Sequence, residues 1–299
     1  MNDTVLEAKD ISLVFPDVTA LSHVNFSILT GEIHALVGAN GAGKSTLLRV
    51  ISGIYEPEAG TVTLDNLDTW KEEAARRKIA FVSDDFYFPM AATIQSMKPL
   101  YECMYDFDTQ AFETYRQLFE LDVRKPISGF SKGMKRKTAL LFALSIHPRL
   151  LLLDEAYDGL EPLARLHFKK ALTGLMEDEH ISVIISSHNL KELEDICDTF
   201  GILEDGKIIS DGDLLETKEQ VHMYQVAFEA AHEKEDFAEL DLLHFERQGQ
   251  VYQLVVRGDE EKVKEKLQAM KPLLLNVLPV NFEELFIYEL ESRGQKDAQ

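Results

Sequence analysis

The stretch GANGAGKSTLLRVISG, Gly38 to Gly53, decides how the rest of the chain is read. It fits G-x-x-x-x-G-K-[ST] with Gly38, Gly43, Lys44 and Ser45 in register, and it lies after an apolar run, Ile33 to Val37, and before a helix, as a phosphate-binding loop requires. The chemistry explains the composition. Glycines let the backbone curl so that successive N–H groups face phosphate oxygens, Lys44 reaches the β- and γ-phosphates, and Ser45 offers a hydroxyl to Mg²⁺. A glycine-rich loop that binds nothing would account for neither the Lys-Ser pair nor its setting between strand and helix.

Upstream, VLEAKDISLVF, LSHVNFSIL and GEIHALVG alternate apolar runs with turn signals and predict antiparallel strands leading into the buried strand Ile33 to Val37. Downstream, RLLLLDEAYDGLEP places Leu150 to Leu153 in a strand buried on both faces, with Asp154 and Glu155 at its C-terminal end. In open α/β sheets that end faces the ligand crevice. A DE pair after an apolar run is common on surfaces. Coupled to a phosphate loop, it suggests one carboxylate to organise Mg²⁺ and one to accept a proton from water. A further buried strand, Val183 to Ile185, ends in Ser186, Ser187 and His188, which puts His188 within reach of a terminal phosphate.

Residues 90–147 show almost no strand pattern and read as three or four helices inserted into the α/β core, closed by Pro148. Within them, GFSKGMKRKTALLFAL (Gly129 to Leu144) sets Ser131 as an N-cap before a cationic first turn of Lys132, Lys135, Arg136 and Lys137. Cations at that end oppose the helix dipole, whereas anions suit it. The bland reading is a solvated face; the sharper one is a site that meets an anion.

Composition bounds these readings. The chain has 299 residues, 45% hydrophobic and 28% charged, which is ordinary for a globular protein and excludes a disordered one. A formal net charge of -21 argues against nucleic acid as a partner. Cys103 and Cys197 are far apart, so neither a disulfide framework nor a zinc site is expected, and a reducing compartment fits. No signal peptide and no membrane-spanning apolar stretch are expected, so any membrane role must come through a partner.

From Val5 to about Gly212 the order of motifs resembles the ATP-binding subunit of an ABC transporter. GANGAGKST resembles the Walker A loop, with Gly38, Ala39, Asn40, Gly41, Ala42, Gly43, Lys44, Ser45 and Thr46 as ATP-binding residues; LLLLDE resembles Walker B and ISSHNL the H-loop. The resemblance implies Glu155 and His188 as catalytic residues and Phe15 as the aromatic that stacks on adenine. It implies a signature, LSGGQ in the family, at Phe130 to Met134, with three of five positions changed. In that family the signature of one subunit caps the γ-phosphate held by another, so Ser131, Lys132, Gly133 and Met134 would act across a dimer around two ATP molecules. Lys132 stands for a glycine, and Met134, in place of glutamine, cannot donate a side-chain hydrogen bond. Gly159, Leu160 and Glu161 fall on the D-loop, with Glu161 where the family has aspartate. Asp84 falls near the Q-loop glutamine and is expected, with Ser45 and Asp154, to bind Mg²⁺.

The expected fold is therefore α/β: a P-loop NTPase (RecA-like) core with an antiparallel β subdomain and an inserted helical subdomain over residues 90–147. Residues 1–212 form the ABC ATPase domain, and residues 213–299 a small, acidic C-terminal α+β domain whose strand and helix pattern, βαββαβ, is ferredoxin-like with a final helix from Phe282 to Leu290. The expected function is an ATP-hydrolysing transporter subunit, with ATP and Mg²⁺ as cofactors. Its expected partners are a second ATP-binding subunit, itself or a paralogue, and a separately encoded permease that holds it at the cytoplasmic face of the cell membrane. The resemblance to exporters of peptides, antibiotics or lipids implies export. A cytosolic mechanical ATPase of the same superfamily, acting on DNA or ribosomes, is the alternative, but the insertion is too small for a long coiled coil and the chain has one phosphate loop.

Overall fold

In the computed structural model the described residues are 3–85, 87–155, 160–179, 181–187 and 193–288. They divide into two compact units, Met1–Asp211 and Gly212–Gln299.

The first unit opens on a long antiparallel hairpin, β1 (Thr4–Phe15) and β2 (Val18–Leu29). After β3 (Ile33–Val37) and α1 (Lys44–Ile51), the strands β4 (Ala59–Leu64) and β5 (Leu67–Asp68) complete a sheet in the order β2-β1-β4-β5. The turn between β4 and β5 has positive φ at both Asp65 and Asn66, residue types whose short polar side chains tolerate that region. A short helix, α2 (Glu73–Arg76), leads to β6 (Ile79–Val82).

The inserted helices follow: α3 (Ile94–Met104), α4 (Thr109–Leu118) and α5 (Lys132–Leu144), with a 3₁₀ turn at Ile127–Gly129 before the last. Each helix starts where a side-chain cap is available. Thr93 and Ser96 form a reciprocal capping box, Asp108 accepts from Gln110 and Ala111 N–H groups, and Ser131 accepts from Met134 N–H. Tyr101 and Phe142 stack at 4.2 Å and tie α3 to α5.

The chain then returns to the core as β7 (Leu150–Asp154), α6 (Pro162–Glu179), β8 (Ser182–Ser187), β9 (Thr199–Glu204) and β10 (Lys207–Asp213). The second sheet has the order β10-β9-β3-β8-β7-β6, and the β9-β3, β3-β8, β8-β7 and β7-β6 pairs are parallel. Every residue of β3, β7 and β8 is buried, which is why the runs Ala35 to Val37, Leu150 to Leu153 and Val183 to Ile185 are apolar without alternation, while the strands' polar residues, such as Asp154 and Ser186, are buried with hydrogen-bond partners. Leu47, Leu48, Val50 and Ile51 of α1 share one core with Leu6, Ile11 and Leu21 of the hairpin and with Leu150, Leu152 and Ile184 of the parallel sheet. The same packing that buries α1 thus sets the phosphate loop at the C-terminal ends of β3, β7 and β8.

The second unit contains α7 (Leu214–Gln220), β11 (Val221–Ala227), β12 (Asp241–Gln248), β13 (Val251–Arg257), α8 (Glu260–Ala269) and β14 (Leu274–Leu278), with helical turns over 282–288. Its sheet order is β12-β13-β11-β14, with all three pairs antiparallel. Tyr224, Val226, Tyr252, Leu254 and Val256 of the sheet enclose Val263 and Leu267 of α8. The first crossover differs from the helix expected there. It is a 3₁₀ turn, Lys234–Phe237, because the acidic segment supplies only Phe237 as a fully buried anchor in that turn.

Candidate functional site

The phosphate loop spans residues 38–43 between β3 and α1. A Cβ on Gly38 would lie 2.3 Å from the Leu203 carbonyl oxygen, and one on Gly43, at φ +109, would lie 2.7 Å from the Ala20 carbonyl oxygen. Only glycine fits either place. Ala39, Asn40 and Gly41 form the exposed crest of the loop, while Ala42 is buried beneath it. The N-cap of α1, Gly43, has no side-chain cap and the first turn has no acidic residue, so the helix end keeps its affinity for an anion. Lys44, nearly buried, donates from Nζ to the Gly38 and Ala39 carbonyls at 2.7 and 3.1 Å, which holds its ammonium group over the loop. Thr46 follows in the first turn, half-buried.

Ser45 points the other way. Its Oγ donates to Asp154 Oδ1 at 2.9 Å, and Ser186 Oγ donates to the same oxygen at 2.8 Å. The Asp154 residue is 2% exposed and, among the described residues, pairs with no cation. A buried carboxylate that has hydroxyl donors but no cation is electrostatically incomplete. Hard oxygen donors of this kind suit Mg²⁺.

Glu155 follows at φ 48, a left-handed conformation that is uncommon for a residue with a Cβ and costs on the order of 1–3 kcal/mol. Its N–H donates to both Ser186 O and Ser186 Oγ, each at 3.1 Å. Strand β7 therefore ends in a sharp turn that separates two adjacent carboxylates. Asp154 stays in the buried hydroxyl pair and Glu155 remains half-buried at the edge of the site. Ser186 was not legible as a site residue. Its only signal is a small polar residue at the end of a buried strand, and its role depends on the β7-β8 register that pairs it with Asp154.

The adenine-stacking candidate Phe15 is an exposed ring at the end of β1, held edge-on by Tyr55 at 5.8 Å. At α5, Ser131 is the exposed N-cap, its Oγ accepting from Met134 N–H at 3.2 Å, with Gly133 and Met134 half-buried behind it. Leu160 is buried and its carbonyl accepts from Arg165 Nε at 2.8 Å, while Glu161 is exposed. His188 and Gly159 lie outside the described residues.

Asp84 does not keep the company expected of a metal ligand. Its Oδ1 binds Lys132 Nζ at 2.7 Å and Arg136 Nη2 at 2.6 Å, both on α5. The reason is proximity. α5 packs on β6, and the residues just after that edge strand meet the cationic first turns of the helix.

A parallel sheet with a glycine-rich loop between strand and helix, a lysine arched over that loop, and a serine joined to a buried aspartate at the end of a neighbouring strand define a P-loop nucleotide triphosphatase. Residues 21–158 match the family model described as ABC transporter. Through this domain the chain belongs to the ABC transporter ATPases, as an ATP-binding subunit that hydrolyses ATP. It is 28% identical to the ABC transporter ATP-binding protein YtrB of Bacillus subtilis (strain 168), over 95% of this chain and 97% of that protein. It is 26% identical to the bacitracin transport ATP-binding protein BcrA of Bacillus licheniformis, over 70% of this chain and 69% of that one. Among solved structures, an ATP-binding subunit of an ABC transporter superimposes with a TM-score of 0.67 and 29% identity, covering 72% of this chain and 92% of the other.

Proposed function

We propose that two such subunits, identical or paralogous, close around two ATP molecules and drive a separately encoded permease in the export of a peptide, antibiotic or lipid. The observation that carries the catalytic half of this reading is the hydrogen-bonded set Ser45–Asp154–Ser186–Glu155, which joins the phosphate loop to the acidic end of β7. Ser45 and Asp154 would hold Mg²⁺, which supplies positive charge to the β- and γ-phosphates when bound. Lys44 exchanges its loop carbonyls for phosphate oxygens, Phe15 stacks on adenine, and Glu155, turned out of the strand, takes a proton from the attacking water. His188 completes the reading from the resemblance alone.

The dimer half of the reading rests on Ser131 and the start of α5, an exposed helix N-terminus that can receive the terminal phosphate held by a second subunit. Partnership with a permease is supported by a groove of mixed polar and aromatic lining between β6 and the helices α3 and α5, with Phe81, Ser83, Asp85, Phe88, Tyr101 and Tyr105 on its walls. Nearby, Tyr87 and Met90 stand 88% and 96% exposed, as interface anchors do before a partner covers them. No described helix is long and apolar enough to cross a membrane, and in this reading the permease holds the chain at the cytoplasmic face. Export as the direction is supported by relatives such as the bacitracin transport protein.

Replacing Ser131 by Arg tests the composite site. Nucleotide binding to the isolated chain should stay unchanged, while hydrolysis and ATP-dependent dimerisation fall. A Ser131→Arg chain that dimerises with ATP as strongly as wild type would show that α5 does not meet the nucleotide. Co-purification of the chain with the membrane protein encoded beside it tests the permease.

A further inference from the structure

The two cations that share Asp84 Oδ1 differ in freedom. The Arg136 side chain is 2% exposed, whereas that of Lys132 is 63% exposed. They lie four residues apart on one face of α5, and Lys132 is the residue immediately after the N-cap Ser131. A cation in that position is repelled by the positive end of the helix dipole and needs an anion beside it. Within this chain the anion is Asp84.

We propose that Asp84 is a positioning residue that competes with the γ-phosphate for Lys132: it fixes α5 through Arg136 and holds Lys132 until a terminal phosphate takes Lys132 over. The proposal rests on the reading that the start of α5 meets nucleotide held by a second subunit. Charge and burial decide which contact breaks. The Arg136 contact is buried and charge-assisted, so parting it from Asp84 costs more than parting the exposed Lys132, and that contact persists. The exposed Lys132 pair is weak, worth a factor of about five at most. A terminal phosphate, with a charge of about −1.5 to −2 and three acceptor oxygens, outcompetes a single carboxylate. Asp84 therefore keeps the helix in place while the lysine changes partner. The departures at Asp84 and at Lys132 become one device: a carboxylate where the family has glutamine, and a cation where the family has glycine, each needing the other.

The test measures ATP hydrolysis by the full chain as wild type, Asp84→Asn, Lys132→Gln and the double variant, titrating ATP with Mg²⁺ in excess and then Mg²⁺ at saturating ATP. Removing the internal competitor should lower the half-saturating ATP concentration of Asp84→Asn about three- to five-fold, and Lys132→Gln should raise it by a similar factor. In the Lys132→Gln background Asp84→Asn should change half-saturation no further, any fall in kcat from the loosened Arg136 being equal in both backgrounds. The Mg²⁺ requirement should be the same in all four proteins, and Asp84→Glu should bring half-saturation back toward wild type. An Asp84→Asn effect that is independent of Lys132, or one that moves the Mg²⁺ requirement instead, overturns the exchange and makes Asp84 a direct ligand of metal or nucleotide. If Asp84→Asn does not fold, the exposed Lys132→Gln decides alone: unchanged half-saturation overturns the proposal. A wild-type chain that hydrolyses no ATP at any concentration would sink the underlying reading as well; normal wild-type turnover with additive variants would sink only the exchange.

Discussion

Ser45 and Asp154, 109 residues apart in the chain, meet in a 2.9 Å hydrogen bond from the Ser45 hydroxyl to Asp154 Oδ1. The bond makes the phosphate loop and the acidic strand end one site.

Glu155→Gln should separate binding from chemistry. The amide keeps the shape and the backbone turn but cannot take a proton, so hydrolysis should fall about 10²- to 10⁴-fold while ATP affinity is retained. Single-turnover hydrolysis beside calorimetric ATP binding checks both halves. Wild-type turnover in the variant would assign the base elsewhere.

Lys44→Ala removes a charge-assisted contact to phosphate that costs about 1.5–3 kcal/mol to lose. ATP affinity by calorimetry should drop accordingly. The fold should survive, because alanine suits the first turn of α1 and the Nζ contacts to the Gly38 and Ala39 carbonyls stay within the loop itself.

Ser186→Ala probes the residue between the two carboxylates. Asp154 would lose one of its hydroxyl donors and the Glu155 N–H would keep only the Ser186 carbonyl. A stability loss of about 1–2 kcal/mol is expected. The kcat should fall by about 10-fold with little change in KM, the signature of misplaced chemistry rather than lost ground-state binding. Rescue by Ser186→Thr, which restores the hydroxyl, would separate this role from simple packing.

Asp65→Asn tests a pH dependence remote from the site. Burial alone would raise the Asp65 carboxyl, but hydrogen bonds and charge from Lys78 and Arg149 outweigh it and hold the group below the usual carboxylate range. A depressed folded-state value stabilises above the unfolded-state value, about 3.9, and that contribution is lost as pH falls through the lower folded one. Both cations are partly exposed, so the pair is worth about 0.5–1 kcal/mol. Asparagine tolerates the left-handed turn at this position, which isolates the charge. The variant should be less stable at neutral pH and show a shallower loss of stability below about pH 4. Parallel acid-unfolding curves for the two proteins would contradict this.

Much of the architecture was legible because its causes are local. The loop from Gly38 to Ser45 needs glycine where a side chain would strike Leu203 or Ala20, and a lysine and serine where phosphate and metal are handled, so its composition carries its function. Strands β3, β7 and β8 carry apolar runs without alternation, Ala35 to Val37, Leu150 to Leu153 and Val183 to Ile185, because both their faces are covered, and Ser131 caps α5 because its first turn has N–H groups to satisfy. The short 3₁₀ crossover in the second unit read as a helix because an acidic, helix-compatible segment does not reveal how little apolar surface it will bury.

What the sequence alone determined is thus the set of chemical groups and the backbone that presents them: a phosphate loop, two carboxylates at a strand end and a capped cationic helix. Only the tertiary structure decided how those groups are shared. Ser186 joins Asp154 and Glu155 because β7 and β8 pair in one register, and Asp84 goes to Lys132 and Arg136 because α5 packs on β6. Local backbone conformation and the apolar pattern are written in neighbouring residues of the chain, whereas a charge takes whichever partner the folded surfaces bring within a few ångströms.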